Sequence, residues 1–394
     1  MKKWIALLLS VCMLLSVFTG CAAKAPAADA PAETPAVEQP AAQPEAESPA
    51  DVPADEPAQQ PEAPTAETVA FTDSLGRAVE LPANLTRVAP SGAVASMIMS
   101  AIAPEYMVCI SSAMSDKQLE YLPQELGGLP ETGQLYGSKS TLNLEQLLAC
   151  DPQIIIDLGD KKGNMTEDLD ALQEQVGVPV IFIEADLPHM ADAFRTLGTI
   201  LDGKAERGEA LGAFIANTVA MAEENAAKVT DEERLSVMYT SGDDGLGTNA
   251  KGSIQAAVLD IVGAENAIVV EDVSNKGGGN IIDMEQLYTA DPDVILFSQN
   301  SLYDTTADDP AWAEVRAIRD GNYAEIPGTP YNWLSNPPSF NMILGIWWLG
   351  NLLYPQYYDY DMTAKAQEIY QLFWNCTLSD EDAAAILSRA VMHG

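Results

Sequence analysis

The chain has 394 residues, 58 of them acidic and 20 basic, and is long enough for two domains of ordinary size. That balance argues against nucleic acid, whose binding rests on neutralising phosphates with Lys and Arg, and against a protein held to anionic lipid by a basic patch. Most of the acid reads as a solvated, solubilising surface.

Met1-Lys2-Lys3 is a short positive region, and Trp4 to Phe18 is an apolar run too short to span a membrane as a mature helix. Thr19-Gly20-Cys21 follows, resembling a bacterial lipoprotein signal in which the cysteine after a small residue is lipidated, although Phe18 stands where leucine is usual. Cys21 is thus the expected lipidation site, after a signal at 1–20. Residues 22–66 are Pro, Ala, Glu and Gln with almost no large apolar side chain. Such a stretch cannot bury enough to fold and reads as an extended tether. Cys109, Cys150 and Cys376 remain, an odd number without a CxxC pair or a histidine cluster, so neither a disulfide framework nor a metal site is expected.

Folding is expected from Glu67. Phe71 to Leu81 reads as two short strands about Gly76, and Arg87 to Ala89 as a strand leading to Ser91, an expected N-cap for a helix over 93–102. A strand at 107–110 and a polar loop at 133–140 precede LNLEQLLACDPQIII, Leu142 to Ile156. A short amphipathic helix ends there at Asp-Pro, because proline disfavours helical dihedrals in the residue before it. The β-branched run that follows suits a buried parallel strand. After a strand at 178–183, the run from His189 to Val229 carries apolar residues at helical spacing, with a break expected near Asp202-Gly203. Then the phrase returns as IDMEQLYTADPDVIL, Ile282 to Leu296, its Glu285, Gln286, Leu287, Asp291 and Pro292 matching Glu145, Gln146, Leu147, Asp151 and Pro152 at one constant offset. Between the two lie a strand at 235–239, a Ser/Gly/Asp loop at 241–247, a helix at 253–262 and a Gly-rich loop at 275–280. A helix at 312–318, a strand at 323–326, an aromatic loop at 331–339, a helix at 340–353 and two helices in 363–392 complete the chain.

Two copies of one phrase around a helical run predict an α/β protein of two three-layer lobes joined by a single long bridging helix, with a ligand cleft between them. The expected divisions are a lobe at 67–187, the bridge at 188–230 and a second lobe with C-terminal helices at 231–394. Ligand loops are expected at the carboxyl ends of the strands. They are Ser91, the Tyr136 loop, Asp160 and Lys161 from the first lobe, and Ser241, Asp243, Gln299, Tyr331 and Trp333 from the second.

The opening DSLGRAVELP…RVAPSGA, the doubled phrase, GAEN at 263–266 and the single bridging run resemble the helix-linked (class III) substrate-binding proteins of ABC importers. Those for ferric siderophores, haem and cobalamin are the nearest. The resemblance covers roughly 68–353. It implies an extracytoplasmic, membrane-anchored receptor that captures a small metal complex and delivers it to a permease dimer with its ATPase. It implies no enzymatic activity and no resident cofactor or metal. It also implies that Glu145 and Glu285, one per lobe, dock the permease, and that Tyr136 and Trp333 are the leading aromatic contacts to the chelate. Some relatives bind molybdate or tungstate, so an oxyanion is the alternative ligand. The scarcity of arginine in cleft loops and two scattered histidines tilt the reading toward a neutral or weakly charged chelate. A hydrolase lacks a G-x-S-x-G elbow or a placed histidine, and a carboxylate-dependent hydrolase has no supporting motif. A tethered adhesion module would not need the internal echo.

Overall fold

The computed structural model describes residues 67–137, 140–299 and 301–394; the Cys21 and tether expectations lie outside them. Strands β1 (Thr68–Thr72) and β2 (Ala78–Pro82) form an antiparallel hairpin, with Gly76 at φ +81° in its turn. Asp73 accepts from the Arg77 guanidinium and from the Phe182 amide, tying the hairpin to the first sheet.

That sheet is parallel, in the order β3 (Val88–Pro90), β4 (Ile154–Gly159), β5 (Val180–Glu184). Its residues alternate between two apolar layers. Val88, Ile154, Ile156, Ile181 and Ile183 pack against α1 (Ala93–Ile102) and α5 (Met190–Ile200). Ile155, Val180 and Phe182 pack against α3 (Leu144–Ala149) and α4 (Met165–Val176). A strand buried on both faces reads as a continuous apolar run, which is why Ile154 to Ile156 was legible. A one-turn helix, α2 (Asp116–Leu119), lies in the connection after α1. Residues 107–110 supply only isolated bridges, Val88 to Met107 and Ile110 to Glu131, rather than the expected strand.

The expected single bridge is two helices. The chain turns at Gly203, φ +64°, and α6 (Ala205–Ala226) folds back along α5. Glycines permit the approach: a Cβ on Gly208 would stand 2.6 Å from the Phe194 carbonyl oxygen and 2.7 Å from Gly198 Cα. Only α6 then leads on, packing against α1 of the first lobe and elements of the second.

The second sheet runs β11 (Tyr323–Glu325), β10 (Val294–Phe297), β6 (Ser236–Ser241), β7 (Gly247–Thr248), β9 (Asn280–Ile281), with β8 (Glu265–Asn266) also on β6. Its layers again alternate. Ile295 and Phe297 face α8 (Met284–Ala290) and α9 (Arg316–Arg319). Val294 and Leu296 face α7 (Ala257–Ile261) and α10 (Asn341–Leu353). The C-terminal helices α11 (Met362–Trp374) and α12 (Asp380–Leu387) close the chain. Among the described residues no helix is long and apolar enough to cross a membrane.

Candidate functional site

Parallel strands end where side chains are free of the ladder, and the second lobe builds its site there. Ser241 ends β6, Ser298 and Gln299 follow β10, and the segment from Gly328 to Asn332 follows β11; all of them line one pocket of about 430 Å³. Tyr331 is one of two tyrosines in its wall, and burial pushes its phenol well above the ordinary value. Tyr239, deeper in the pocket, bonds Ser335 Oγ at 3.1 Å. The loop is held from inside: Asn332 Oδ1 accepts from the Leu334 and Ser335 amides at 2.9 and 3.0 Å.

The first lobe closes one side through α2. Ser115, Lys117 and Gln118 line the pocket, and Gln118 Nε2 donates to the Pro330 carbonyl oxygen at 3.2 Å. Tyr331 Oη also lies 3.7 Å from Met114 Sδ. The lobes meet again at a seam cavity of about 100 Å³, with Asp160 and Asp186 on one side and Ile254 and Met342 on the other. Among the described residues no carboxylate lines the main pocket, and the one formal charge on its wall is Lys117. Behind Lys117, Glu325 is pushed up by burial and pulled back by that ammonium, while Arg389 Nη1 holds it at 3.2 Å.

Of the residues expected at the ligand, the structure brings Ser241, Gln299 and Tyr331 into this pocket, and Asp160 into the separate seam cavity. Trp333 is a correction. It is fully buried, with Nε1 donating to the Thr329 carbonyl at 3.2 Å and its backbone against Gly345 of α10. The Asn332 turn points Tyr331 toward the cleft and Trp333 into the core. Ser91 is a second correction: Gly92 occupies the N-cap of α1, and Ser91 Oγ donates to Asp157 in the interior. Asp157 is buried, its Oδ2 has no partner among the described residues, and burial raises its pKa to about 6 against the pull of Ser91 and Lys162. Tyr136 donates to Asp168 Oδ2 at 3.3 Å beneath Lys162, 5.2 Å from the ring centroid, outside the pocket. Lys161 is engaged by Glu184 at 2.7 Å, and Asp243 is exposed on its turn outside the pocket.

Sequence reading missed Lys117 and Gln118 because a four-residue helix has no period to detect. The available signal was the capping box of Ser115 and Gln118, which the structure forms in both directions. It also missed that Glu184, Asp186 and His189 come within 4.8 Å of one another. The trio keeps a net negative charge that a cation outside it, Lys161, offsets. Lys161 holds Glu184, and the hydrogen bond that His189 Nδ1 donates to Asp186 is the main cause raising the His189 pKa.

The repeated phrase folds alike in both lobes. Asn143 and Asp283 cap α3 and α8 through the amides of Gln146 and Gln286, and Leu147 and Leu287 are the buried anchors. Asp151 and Asp291 end the helices at positive φ, 51° and 39°. Arg87 and Arg316 clamp those ends, donating to the Asp151 and Asp291 carbonyls at 2.8 and 2.9 Å. Glu145 and Glu285 therefore occupy matching, exposed positions in the first helical turn of each copy.

A family model described as periplasmic binding protein matches residues 101–330. An ABC transporter solute binding protein from Sulfurospirillum deleyianum has a TM-score of 0.74 at 27% identity, over 81% of this chain and 99% of that one. A periplasmic solute binding protein from Veillonella parvula has a TM-score of 0.68 at 21% identity, over 82% and 98%. The molybdate periplasmic binding protein MolA of Haemophilus influenzae, bound to molybdate, has 0.60 at 20%, over 79% and 99%. No curated protein matches.

Proposed function

Since the chain belongs to the periplasmic binding protein family, the extracytoplasmic substrate-binding partners of ABC permeases and their ATPases, we propose that it captures an oxygen-rich metal chelate, of the ferric-siderophore kind, and hands it to the permease. It is a transport protein, not an enzyme. The observation that carries the ligand reading is the lining of the main pocket. In a chain with 58 acids and 20 bases, the wall formed by the described residues holds hydroxyls, amides, two tyrosines and Lys117, with no carboxylate. Such a wall donates to carbonyl, hydroxamate, catecholate or carboxylate oxygens, and Lys117 adds a charge-assisted bond to an anionic one. A volume of about 430 Å³ equals roughly fourteen waters of liquid, well matched to a compact chelate.

A bare oxyanion such as molybdate is the second reading, favoured by the same ammonium and hydroxyls and by the ligand of the MolA structure. Isothermal titration of the purified protein with ferric siderophores, haem, cobalamin and molybdate separates these readings. A ferric siderophore is expected to bind, and Lys117→Met to weaken an anionic one about tenfold, or roughly 1.4 kcal/mol, while leaving a neutral one unchanged. Saturable binding of molybdate alone would overturn the chelate reading.

The anchoring proposal is lipidation at Cys21 with 22–66 as tether; Cys21→Ala is expected to move the protein from the membrane fraction to the medium or periplasm. The docking proposal places Glu145 and Glu285 against basic pockets of the two permease halves. Two carboxylates on matched substructures are suited to such a partner.

A further inference from the structure

A second cavity, of about 520 Å³, opens where the end of α1, the start of α6 and the end of α11 meet, and it shares no lining residue with the main pocket. Its apolar part is Ile102, Phe373 and Trp374, all buried, with Tyr121 half-buried. Two donors on this wall lack acceptors. Trp374 is 3% exposed, and its indole Nε1 has no partner among the described residues. Arg207 donates from Nε and Nη2 to the Ala101 and Phe373 carbonyls, which leaves Nη1 without an acceptor among the described residues. Every other arginine among the described residues has a carboxylate within 4.0 Å, and Arg207 has none. Glu105 lines the same cavity but is taken by Lys204. In a chain with 58 acids, a half-buried guanidinium left without a counter-ion is unusual, because removing a charge from water is costly unless it is paired. The remaining charges of the lining are Glu120 and Glu125, both exposed. The cavity therefore sets one half-buried cation against two exposed carboxylates.

We propose that this cavity is a second ligand site, taking a small zwitterion of the aromatic α-amino acid class. The ligand carboxylate accepts from Arg207 Nη1 and Trp374 Nε1, its ring packs on Phe373 and Tyr121, and its ammonium faces Glu120 and Glu125. A guanidinium bonds a carboxylate through charge-assisted hydrogen bonds, and an indole N–H adds a donor. A dianion such as phosphate would gain the same guanidinium but meet repulsion from both glutamates. An amine alone would leave Arg207 unpaired. The guanidinium is already held by two main-chain carbonyls, so little of its freedom remains to be lost on binding.

The test is isothermal titration of the full chain with L-phenylalanine, phenylpropionate and phenylethylamine, with thermal melting to check the fold of each variant. L-phenylalanine is expected to bind saturably and to raise the melting temperature. Phenylpropionate, which lacks the ammonium, should bind about threefold more weakly, and phenylethylamine, which lacks the carboxylate, should show no binding. Arg207→Gln is expected to weaken L-phenylalanine by about tenfold or more, while Lys117→Met, in the main pocket, leaves it unchanged. Because Arg207 also joins α1 to α11, a double variant at the exposed positions, Glu120→Gln with Glu125→Gln, tests the site without touching that link. It should weaken L-phenylalanine about threefold and tighten phenylpropionate by a similar factor. The proposal is overturned if L-phenylalanine shows no saturable binding in the millimolar range, or if phenylethylamine binds as tightly. It is equally overturned if the double variant shifts both ligands in the same direction or neither, or if Lys117→Met abolishes a binding that Arg207→Gln leaves intact.

Discussion

Tyr331 presents its ring to the pocket, and two residues on Trp333 is fully buried with its indole nitrogen bonded to Thr329. Sequence alone ranks the two alike, since both are aromatic and both sit in one proline-rich loop. What separates them is the hydrogen bonding of Asn332, which turns the chain between them. Trp333→Ala is therefore expected to cost about 3 to 5 kcal/mol of stability, as other large core truncations do. Urea unfolding checks it, and a loss below 1 kcal/mol would contradict the burial. Asp157 carries the clearest pH dependence. An ordinary aspartate titrates near 3.8, whereas burial raises this one to about 6. Between those values the folded state holds a proton that the unfolded chain has released. Stability then falls as pH rises through that window, and the whole penalty is present at pH 7. Asp157→Asn is expected to flatten thermal stability between pH 4 and 6 and to raise it at pH 7 by about 1 to 3 kcal/mol. A variant that keeps the wild-type slope would show that the carboxyl is not the group responsible.

Elements with their own period or cap were legible; those held by distant partners were not. The paired α3 and α8 announce themselves through a cap, a buried leucine and an Asp-Pro stop, all local in sequence. The helix α4 carries apolar residues at 165, 169, 172 and 176, a helical spacing, yet its acidic surface lowered the contrast and it went unread. Strands β7, β8 and β9 are two residues each and exist only because β6 and one another supply partners. The run from 189 to 229 showed its period and its break, but not that the second half folds back on the first. The glycines of α5 and α6 make that contact. Gly208→Ala would place a methyl against backbone atoms of Phe194 and Gly198, which cannot swing aside as a side chain can. Although Ala is the better helix former, the variant is expected to lose about 1 to 3 kcal/mol, measured by urea unfolding. A gain would mean that the helices part without cost.

The lobes are separate in their sheets but continuous in their packing. One apolar cluster contains Ile98 and Phe194 of the first lobe, Leu211 of α6, Ile343 of the second lobe and Phe373 of α11. The helix α11 is the element that joins them. Phe373 stacks on Phe340 at 4.6 Å and meets Phe194 and Phe214 edge-on at 6.0 Å, so one ring touches both lobes and the helix between them. Arg207 draws the same parts together, donating to the Ala101 carbonyl at the end of α1 and to the Phe373 carbonyl at the end of α11. Lys365 lies over the Trp347 ring at 4.0 Å. Composition of the last helices hints only at amphipathic surfaces, and which surface they cover depends on residues far upstream. With the core shared in this way, the protein is expected to unfold in a single cooperative transition, its calorimetric and van't Hoff enthalpies agreeing. Phe373→Ala should remove about 3 to 5 kcal/mol and, by cutting the link that both lobes share, broaden the melt until the two enthalpies diverge. Two resolved transitions in the unaltered protein, or a Phe373→Ala melt as sharp as the parent's, would show that the lobes are not coupled through α11.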